Sequence, residues 1–190
     1  MAGLSTERVW LRRWRASDRA PFAALNADPA VMQYFPASLS RAESDELIDR
    51  IEAGFERDGW GLWALEERRT RAFLGFTGLA QASFEAHFTP AIEIGWRLAH
   101  AAWGRGYATE AARRAATFAF ETLTLDELVS FTAVGNRRSR AVMQRLGMTH
   151  DPREDFDHPH VCEGHNLRRH VLYRLPGPKG WSSTAADAHH

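Results

Sequence analysis

Glu93 is the first candidate for proton-transfer chemistry in this sequence. The segment AIEIGWRL, residues 91–98, alternates apolar residues with others, and this period of two predicts a strand. Alternation places Glu93, Gly95 and Arg97 on one face of that strand, opposite its large apolar side chains. A carboxylate in the middle of an interior strand is unusual. Glu93 is therefore our candidate general base, and a structural ion pair is the alternative that the sequence leaves open.

The stretch AWGRGYATEA, residues 102–111, carries the second candidate, which is an anion site. Gly104 and Gly106 directly precede a predicted helix that begins at about Tyr107. The first N–H groups of a helix lack partners within it, and the helix dipole favours negative charge there. A glycine has no Cβ to hold a phosphate away from the backbone. Charge-assisted hydrogen bonds each contribute about 1.5–3 kcal/mol, so about four or five donors could hold an anionic cofactor without a lysine. Arg105 could add one flexible charge.

This glycine stretch has several possible interpretations. A P-loop is excluded because Gly104 and Gly106 are too close together and no lysine follows them. A dinucleotide-binding turn is disfavoured because Thr109 stands where a third small residue belongs, and Asp126 precedes the next predicted strand instead of ending it. The pyrophosphate loop of an acyl-CoA site fits the order of strand, short loop and helix. A plain glycine turn that enters a core helix stays open on this segment alone.

Histidines in the segment FDHPHVCEGH, residues 156–165, suggest a metal site. The spacing of His158, His160, Cys162 and His165 fits no standard ligand set. We therefore expect a polar loop at the mouth of the site, and no metal. Cys162 has no evident activating partner, so we do not expect it to act as a nucleophile.

Composition limits the class of protein. The chain has 190 residues, of which 44% are apolar and 25% charged, as is typical of one globular domain. Lys plus Arg and Asp plus Glu are both 24, and this zero net charge argues against nucleic acid as a partner. A local basic patch stays open, because Arg12, Arg13 and Arg15 cluster. One cysteine fits a reducing cytoplasm. The sequence shows no signal-peptide pattern and no apolar run long enough for a bilayer, so we expect no membrane partner.

Periodicity and end signals predict the elements that position these candidates. The predicted class is α+β, with a mixed sheet that contains a run of antiparallel strands. We expect one domain over residues 1–175 and a disordered tail at 176–190, which is rich in Pro, Gly, Ser and Ala. In chain order the predicted elements are a strand at 9–14, helices at about 17–26, 28–35 and 40–58, strands at 61–66, 72–78 and 91–98, a helix at 107–123, a strand at 128–132, a helix at 136–146 and a strand at 171–175.

Three motifs together resemble the GCN5-related N-acetyltransferases, the GNAT family. They are EIGWRL at 93–98, WGRGYATEA at 103–111 and NRRSRAVMQRLGM at 136–148, and they stand in that family's order and spacing. The resemblance covers roughly residues 10–175 and is greatest to the branch that includes the ribosomal-protein N-terminal acetyltransferases. It implies an α+β (mixed α/β) fold with three α/β/α layers. The central sheet of that fold is mixed, largely antiparallel, and splayed at the cofactor site.

The resemblance also implies where acetyl-CoA binds. In the family the pantetheine arm pairs with the strand before the glycine loop, so the main chain of Trp96, Arg97 and Leu98 would hold it. Gly95 fits the family's bulge in this strand, or a close approach, and a backbone N–H near Leu98 would stabilise the oxyanion. The pyrophosphate would lie on the residues that open the helix, which are Trp103, Gly104, Arg105, Gly106, Tyr107, Ala108 and Thr109.

One position of this loop departs from the family pattern. Gly106 and Ala108 fill its last two fixed positions, whereas Trp103 stands where Gln or Arg is usual. The change removes one side-chain contact to phosphate but leaves the backbone cradle.

Asn136 and Ser139 match the family's second cofactor motif. The resemblance implies that Asn136 contacts the pantetheine arm and that Ser139 lies near the sulfur, where it could protonate the leaving thiolate. From the residues alone, Asn136 is also a helix N-cap and Ser139 could face solvent. Many relatives have a tyrosine acid at the position of Met143, so Ser139 or water must serve here.

The implied reaction is transfer of an acetyl group from acetyl-CoA to a primary amine, which belongs to a protein N-terminus or a small molecule. The amine attacks the thioester directly after Glu93, or a water chain, has taken its proton. No metal takes part. A non-catalytic module that binds or senses acyl-CoA is one alternative, and a nucleotide-binding enzyme is another. The chain could be a monomer or a homodimer.

Overall fold

The computed structural model describes residues 3–177, so the predicted tail lies outside the described residues from position 178 onward. Short 3₁₀ turns occur at 16–18, 100–102 and 152–154. The helices are α1 (Arg19–Ala27), α2 (Pro29–Met32), α3 (Arg41–Asp58), α4 (Tyr107–Glu121) and α5 (Arg137–Arg145). The strands are β1 (Leu4–Ser5), β2 (Val9–Arg12), β3 (Leu62–Glu67), β4 (Phe73–Gln81), β5 (Ile92–Leu98), β6 (Glu127–Ala133), β7 (Thr149–His150), β8 (Phe156–Asp157) and β9 (Arg169–Pro176).

The strands form one mixed sheet in the order β1-β2-β3-β4-β5-β6-β9-β7, with β8 also paired to β9. Every pair is antiparallel except β5 and β6, which run parallel. The predicted α+β class and the largely antiparallel mixed sheet are therefore confirmed. Strands β1, β7 and β8 were not predicted, because each has only two residues and is too short to show an alternating pattern of apolar residues.

The sheet opens between β5 and β6. Strands β4 and β5 pair over seven residues and so do β6 and β9, whereas β5 and β6 share the single pair Glu93–Val129. The predicted splay is confirmed. The bulge expected at Gly95 is not there, because β4 and β5 pair without a register shift from Gly75–Leu98 to Gln81–Ile92. The register shifts instead between β3 and β4, at Leu65 and Glu66.

Helix α4 packs against the central strands through small side chains. Its alanines 111, 112, 115, 116 and 119 have no exposed surface, which lets the helix lie close to β4 and β5. Trp63 of β3 points to the same side, with its ring centroid 5.4 Å from that of Phe118. We call this side of the sheet the α4 face.

The opposite side, the α1 face, has a different cover. Phe22 of α1 packs against Phe76 of β4, with ring centroids 5.9 Å apart. Toward β6 and β9, a second apolar cluster of Phe88, Val129, Phe156 and Leu172 lies on this face. Because paired residues in neighbouring strands point to the same side, Glu93 faces this cluster with its partner Val129.

The clustered arginines near the start do not form an open basic patch. Arg12 pairs with Asp18 and Glu66, Arg13 with Glu52 and Glu56, and Arg15 with Glu66. Among residues 3–177, no helix combines the length and the apolar character that crossing a bilayer requires.

Candidate functional site

A cleft of about 1860 Å³ passes through the opening between β5 and β6 and reaches both faces of the sheet. On the α4 face it is lined by the loop before α4, the first turns of α4, and α5. On the α1 face it is lined by residues 30–36 around α2 and by histidines near β8 and β9. The predicted site residues that line it are Glu93, Trp96, Arg97, Leu98, Trp103, Gly104, Gly106, Tyr107, Ala108, Thr109, Asn136 and Ser139.

The backbone of β5 supplies open hydrogen-bonding groups in this cleft. Ala99 donates its N–H to the Leu74 carbonyl, which makes Gly75–Leu98 a non-hydrogen-bonded pair of the antiparallel ladder. Because pair types alternate, the N–H and C=O groups of Trp96 and Leu98 point away from β4, toward the gap. Those of Arg97 point to β4 instead. Trp96 and Leu98 therefore present main-chain groups to the cleft, whereas Arg97 presents its side chain.

The loop before α4 ends in an open helix N-terminus. Gly104 and Gly106 have φ angles of +73° and +79°, a left-handed conformation that favours glycine. Gly106 is the N-cap of α4, and no side chain caps the helix. Among residues 3–177, no acceptor is paired with the N–H groups from Gly104 to Thr109. This run of unpaired donors is what an anion site at a helix start requires.

Trp103 ties this loop to the end of β5. Its indole Nε1 donates to the Leu98 carbonyl at 2.9 Å, so it also occupies one of the groups that face the gap. The Arg138 guanidinium lies over the indole ring, 4.8 Å from its centroid. Where the family pattern has a phosphate-binding side chain, this chain has an anchor that positions the loop.

Arg105 and Tyr107 are turned away from the anion position. Arg105 is exposed and does not line the cleft, and its carbonyl accepts a hydrogen bond from Arg8 Nη1 at 2.9 Å. The buried Tyr107 donates its hydroxyl to Glu67. Neither side chain is therefore placed to contact an anion at the helix start, and of the two residues only Tyr107 lines the cleft.

Asn136 and Ser139 lie together at the start of α5. The Asn136 side chain accepts the Ser139 N–H at 3.2 Å and donates to Thr132 Oγ1 at 2.9 Å, so it caps the helix. The Ser139 hydroxyl has no hydrogen-bond partner among residues 3–177 and lines the cleft. Met143, which stands where relatives have tyrosine, is fully buried in the core.

Glu93 lies in the cleft as a half-buried carboxylate without a cation beside it. Burial alone raises the pKa of Glu93 to about 7. Among the described residues no ion pair involves this carboxylate, so the alternative of a structural ion pair is not supported. A Cβ built on Gly95 would stand 3.5 Å from Glu93 Oε1, so Gly95 leaves the space beside the carboxylate open.

Arg97 is a site residue whose side chain sequence reasoning missed. Its Nη1 donates to Asn26 Oδ1 at 2.6 Å, and its guanidinium lies over the Phe35 ring at 4.1 Å. The strand alternation had already placed Arg97 on the face of Glu93. Its partners come from 71 and 62 residues away, and no local pattern signals them.

A histidine cluster closes the α1-face end of the cleft. The rings of His158 and His170 are 4.9 Å apart, and His160 lies 5.6 Å from His158. Burial, helped by the neighbouring histidines, lowers the pKa of His158 to about 4. In the described part of the chain, no group of three or more His, Cys, Asp or Glu residues is placed to hold a metal ion. Cys162 is a free, exposed thiol.

Comparisons with known proteins agree with this geometry. A family model described as the acetyltransferase (GNAT) domain matches residues 8–149. The chain is similar to YkkB, an uncharacterised protein of Bacillus subtilis, with 32% identity over 146 residues that cover 76% of this chain and 84% of YkkB. It is also similar to the solved structure of an acetyltransferase from Agrobacterium tumefaciens, with a TM-score of 0.73 and 28% identity, covering 92% of this chain and 94% of that one.

A more distantly related protein shares the fold, and its structure contains a bound ligand. RimL, a ribosomal L7/L12 alpha-N-protein acetyltransferase solved in complex with coenzyme A, superposes with a TM-score of 0.73 at 15% identity. The match covers 92% of this chain and 98% of RimL.

Proposed function

The chain belongs to the GNAT family and is an acetyl-CoA-dependent N-acetyltransferase, and we propose that Glu93 is the base that activates its amine acceptor. The observation that carries the proposal is a half-buried carboxylate in a cleft that opens beside an uncapped helix start. The family predicted from the three sequence motifs is confirmed.

The residues present fit acetyl-CoA. The unpaired N–H groups from Gly104 to Thr109 suit the pyrophosphate, where charge-assisted bonds and the helix dipole both favour negative charge. The open N–H and C=O groups of Trp96 and the N–H of Leu98, whose C=O accepts from Trp103, suit the amide-bearing pantetheine arm and its thioester. Asn136, which also holds the start of α5, and Ser139 complete the wall of the cleft on the α4 face.

Glu93 takes a proton from the incoming ammonium group, because only the neutral amine is a nucleophile. A pKa of about 7 suits this role, since about half of the enzyme then has Glu93 ionised at neutral pH and the carboxylate is basic enough to accept a proton. The proton passes directly or through one water. The amine then attacks the thioester carbonyl, and the thiolate of coenzyme A leaves.

Two further groups assist this step. The Leu98 N–H, which points into the gap, donates to the carbonyl oxygen as negative charge develops on it. The Ser139 hydroxyl, which has no protein partner, protonates the leaving thiolate. The acceptor is a primary amine, either of a protein N-terminus, as the name of RimL states for that protein, or of a small molecule.

Two assays test this proposal. Acetyl-CoA is expected to raise the melting temperature of the protein, whereas ATP and NAD leave it unchanged. Thiol release from acetyl-CoA is then followed over a panel of amines, amino acids and N-terminal peptides. If acetyl-CoA stabilises the protein but no amine accelerates thiol release, the catalytic proposal is lost and a non-catalytic binding module remains. Stabilisation by ATP or NAD would favour a nucleotide enzyme instead.

A further inference from the structure

Arg97 is a cation on the α1 face of the cleft with no acid beside it. It lies on the same side of β5 as Glu93 and Gly95. In an extended strand the Cα atoms of Glu93 and Arg97, four residues apart, are separated by about 13 Å. Among residues 3–177, no ion pair joins its guanidinium to a carboxylate. Buried charges in proteins are ordinarily paired, so an unpaired one at the edge of a cleft needs an explanation.

The guanidinium is held in one orientation by neutral groups. Asn26 Oδ1 accepts from Nη1, and Asn26 is itself fully buried and donates to Ser44 Oγ at 3.1 Å. The rings of Phe35 and Phe76 lie 4.1 and 5.4 Å from the guanidinium carbon. These contacts fix the plane of the group without neutralising its charge. Burial lowers the pKa of Arg97 to about 10, so it stays protonated at neutral pH.

Within residues 3–177, these contacts leave the donors on one edge of the guanidinium without a hydrogen-bond partner. Nε is buried without a hydrogen-bond partner, and Nη2 donates to no group among the described residues. Nε and Nη2 together form the edge of an arginine that binds a carboxylate through two parallel hydrogen bonds. Arg97 lines the cleft beside Tyr34 and Phe35, at the end that faces away from the glycine loop.

We propose that the acceptor of this enzyme is a primary amine that also carries a carboxylate, and that Arg97 binds that carboxylate while Glu93 receives the proton of the amine. This inference rests on the proposed function. A carboxylate suits the site better than a phosphate, because a phosphate would bring a second negative charge to the side of the cleft that already holds the acid Glu93. Arg97 is thus a specificity-determining residue.

The test compares matched acceptors that differ only in the carboxylate. One set pairs free amino acids with their carboxamides, and a second pairs short peptides that begin with Asp or with Asn. Wild-type kcat/KM is expected to be about 100-fold higher or more for the carboxylate member of the preferred set, as for two charge-assisted hydrogen bonds. The two sets distinguish a main-chain carboxylate from an acidic side chain at a protein N-terminus.

Two variants of Arg97 complete the test. Arg97→Met is expected to abolish the preference, mainly by raising KM for the carboxylate member, while acetyl-CoA binding stays the same. Arg97→Lys keeps the charge without the two-donor edge and is expected to retain part of the preference. Arg50→Met, at an exposed arginine of α3 whose nearest acid is Glu46 at 3.9 Å, is the matched control and keeps the wild-type preference.

The outcomes separate this inference from the proposed function. If the enzyme acetylates carboxylate and carboxamide members equally well, the inference is overturned and the function stands. Retention of the full preference by Arg97→Met would likewise assign Arg97 a structural role only. If no member of either set accelerates thiol release, the proposed function fails and this inference fails with it. Should Arg97→Met not fold, the wild-type preference and Arg97→Lys decide the question.

Discussion

The two ends of the cleft are built in different ways. On the α4 face, the proposed anion site is made by main-chain N–H groups of consecutive residues, 104–109, at the start of one helix. On the α1 face, the chamber is made by side chains from distant segments, with Glu93 and Arg97 on β5, Phe35 after α2, and His158 before β9. The first end depends on backbone conformation. The second depends on which side chains the fold brings together.

The electrostatics of the two ends differ in the same way. The helix start offers partial charges that do not titrate and are the same for any sequence that keeps the backbone. The chamber holds two ionisable groups, and burial moves the pKa of Glu93 up to about 7 and that of Arg97 down to about 10. Binding of the common co-substrate can therefore stay constant while the acceptor end changes. A substitution at one end is therefore expected to leave the other end unchanged.

The largest expected effect is at Glu93. Glu93→Gln removes the base but keeps the size and the polarity of the side chain, so kcat is expected to fall about 100- to 10 000-fold. Acetyl-CoA binding, measured by calorimetry, is expected to stay the same because the glycine loop is untouched. Glu85→Gln, at an exposed glutamate between β4 and β5, is the control. Unchanged turnover of Glu93→Gln would remove Glu93 as the base.

The second effect is at the glycine loop. Gly106 and Gly147 have nearly equal φ angles, +79° and +82°, but only Gly106 lines the cleft. Alanine at either position is expected to cost about 1–2 kcal/mol of folding stability, because an L residue is strained there. Only Gly106→Ala is expected to weaken acetyl-CoA binding, about tenfold or more, because relief of the strain turns the N–H donors away. Equal loss of affinity in both variants would show that the loop has no special role.

The third effect is the pH dependence of activity. In the proposed mechanism the active form of Glu93 is the carboxylate, and its raised pKa places the loss of that form near pH 7 instead of near 4.5. As pH falls below 7, kcat/KM is expected to drop about tenfold per unit from this group alone. Protonation of the acceptor amine also lowers kcat/KM, at a pH set by the pKa of that amine. Acceptors of different basicity therefore separate this effect from the titration of Glu93. A break near 4.5 that is shared by all acceptors would contradict a desolvated Glu93.

The difference between the ends also explains what the sequence could predict. The glycine loop, the α4 helix and the alternation of β5 are local patterns, and the structure has them within a few residues of the predicted bounds. The Asn26 and Phe35 partners of Arg97 come from segments far away along the chain. The expected bulge at Gly95 came from resemblance alone, and the continuous pairing of β4 with β5 overturns it. Trp103 departs from the family pattern in the sequence itself, but no local pattern signals its hydrogen bond to the Leu98 carbonyl.

The smallest expected effect is at Ser139, in the α4-face wall of the cleft. Its hydroxyl lines the cleft without a protein partner, so it can donate a proton to the leaving thiolate. A thiol has an ordinary pKa of about 8.5, so its thiolate is a stable leaving group near neutral pH and gains little from an acid. Ser139→Ala is therefore expected to lower kcat only about two- to tenfold, because water can donate in its place.

The control for Ser139 separates chemistry from helix capping. Asn136 caps α5 by accepting the Ser139 N–H, and alanine at Ser139 keeps that main-chain bond. Asn136→Ala removes the cap and is expected to cost about 1 kcal/mol of stability. Comparing the two variants by kcat and by melting temperature therefore assigns each effect to its cause. A fall in kcat of more than about a hundredfold for Ser139→Ala would contradict this prediction. It would mean that departure of the thiolate depends on the Ser139 hydroxyl, so that Ser139 as well as Glu93 determines the rate.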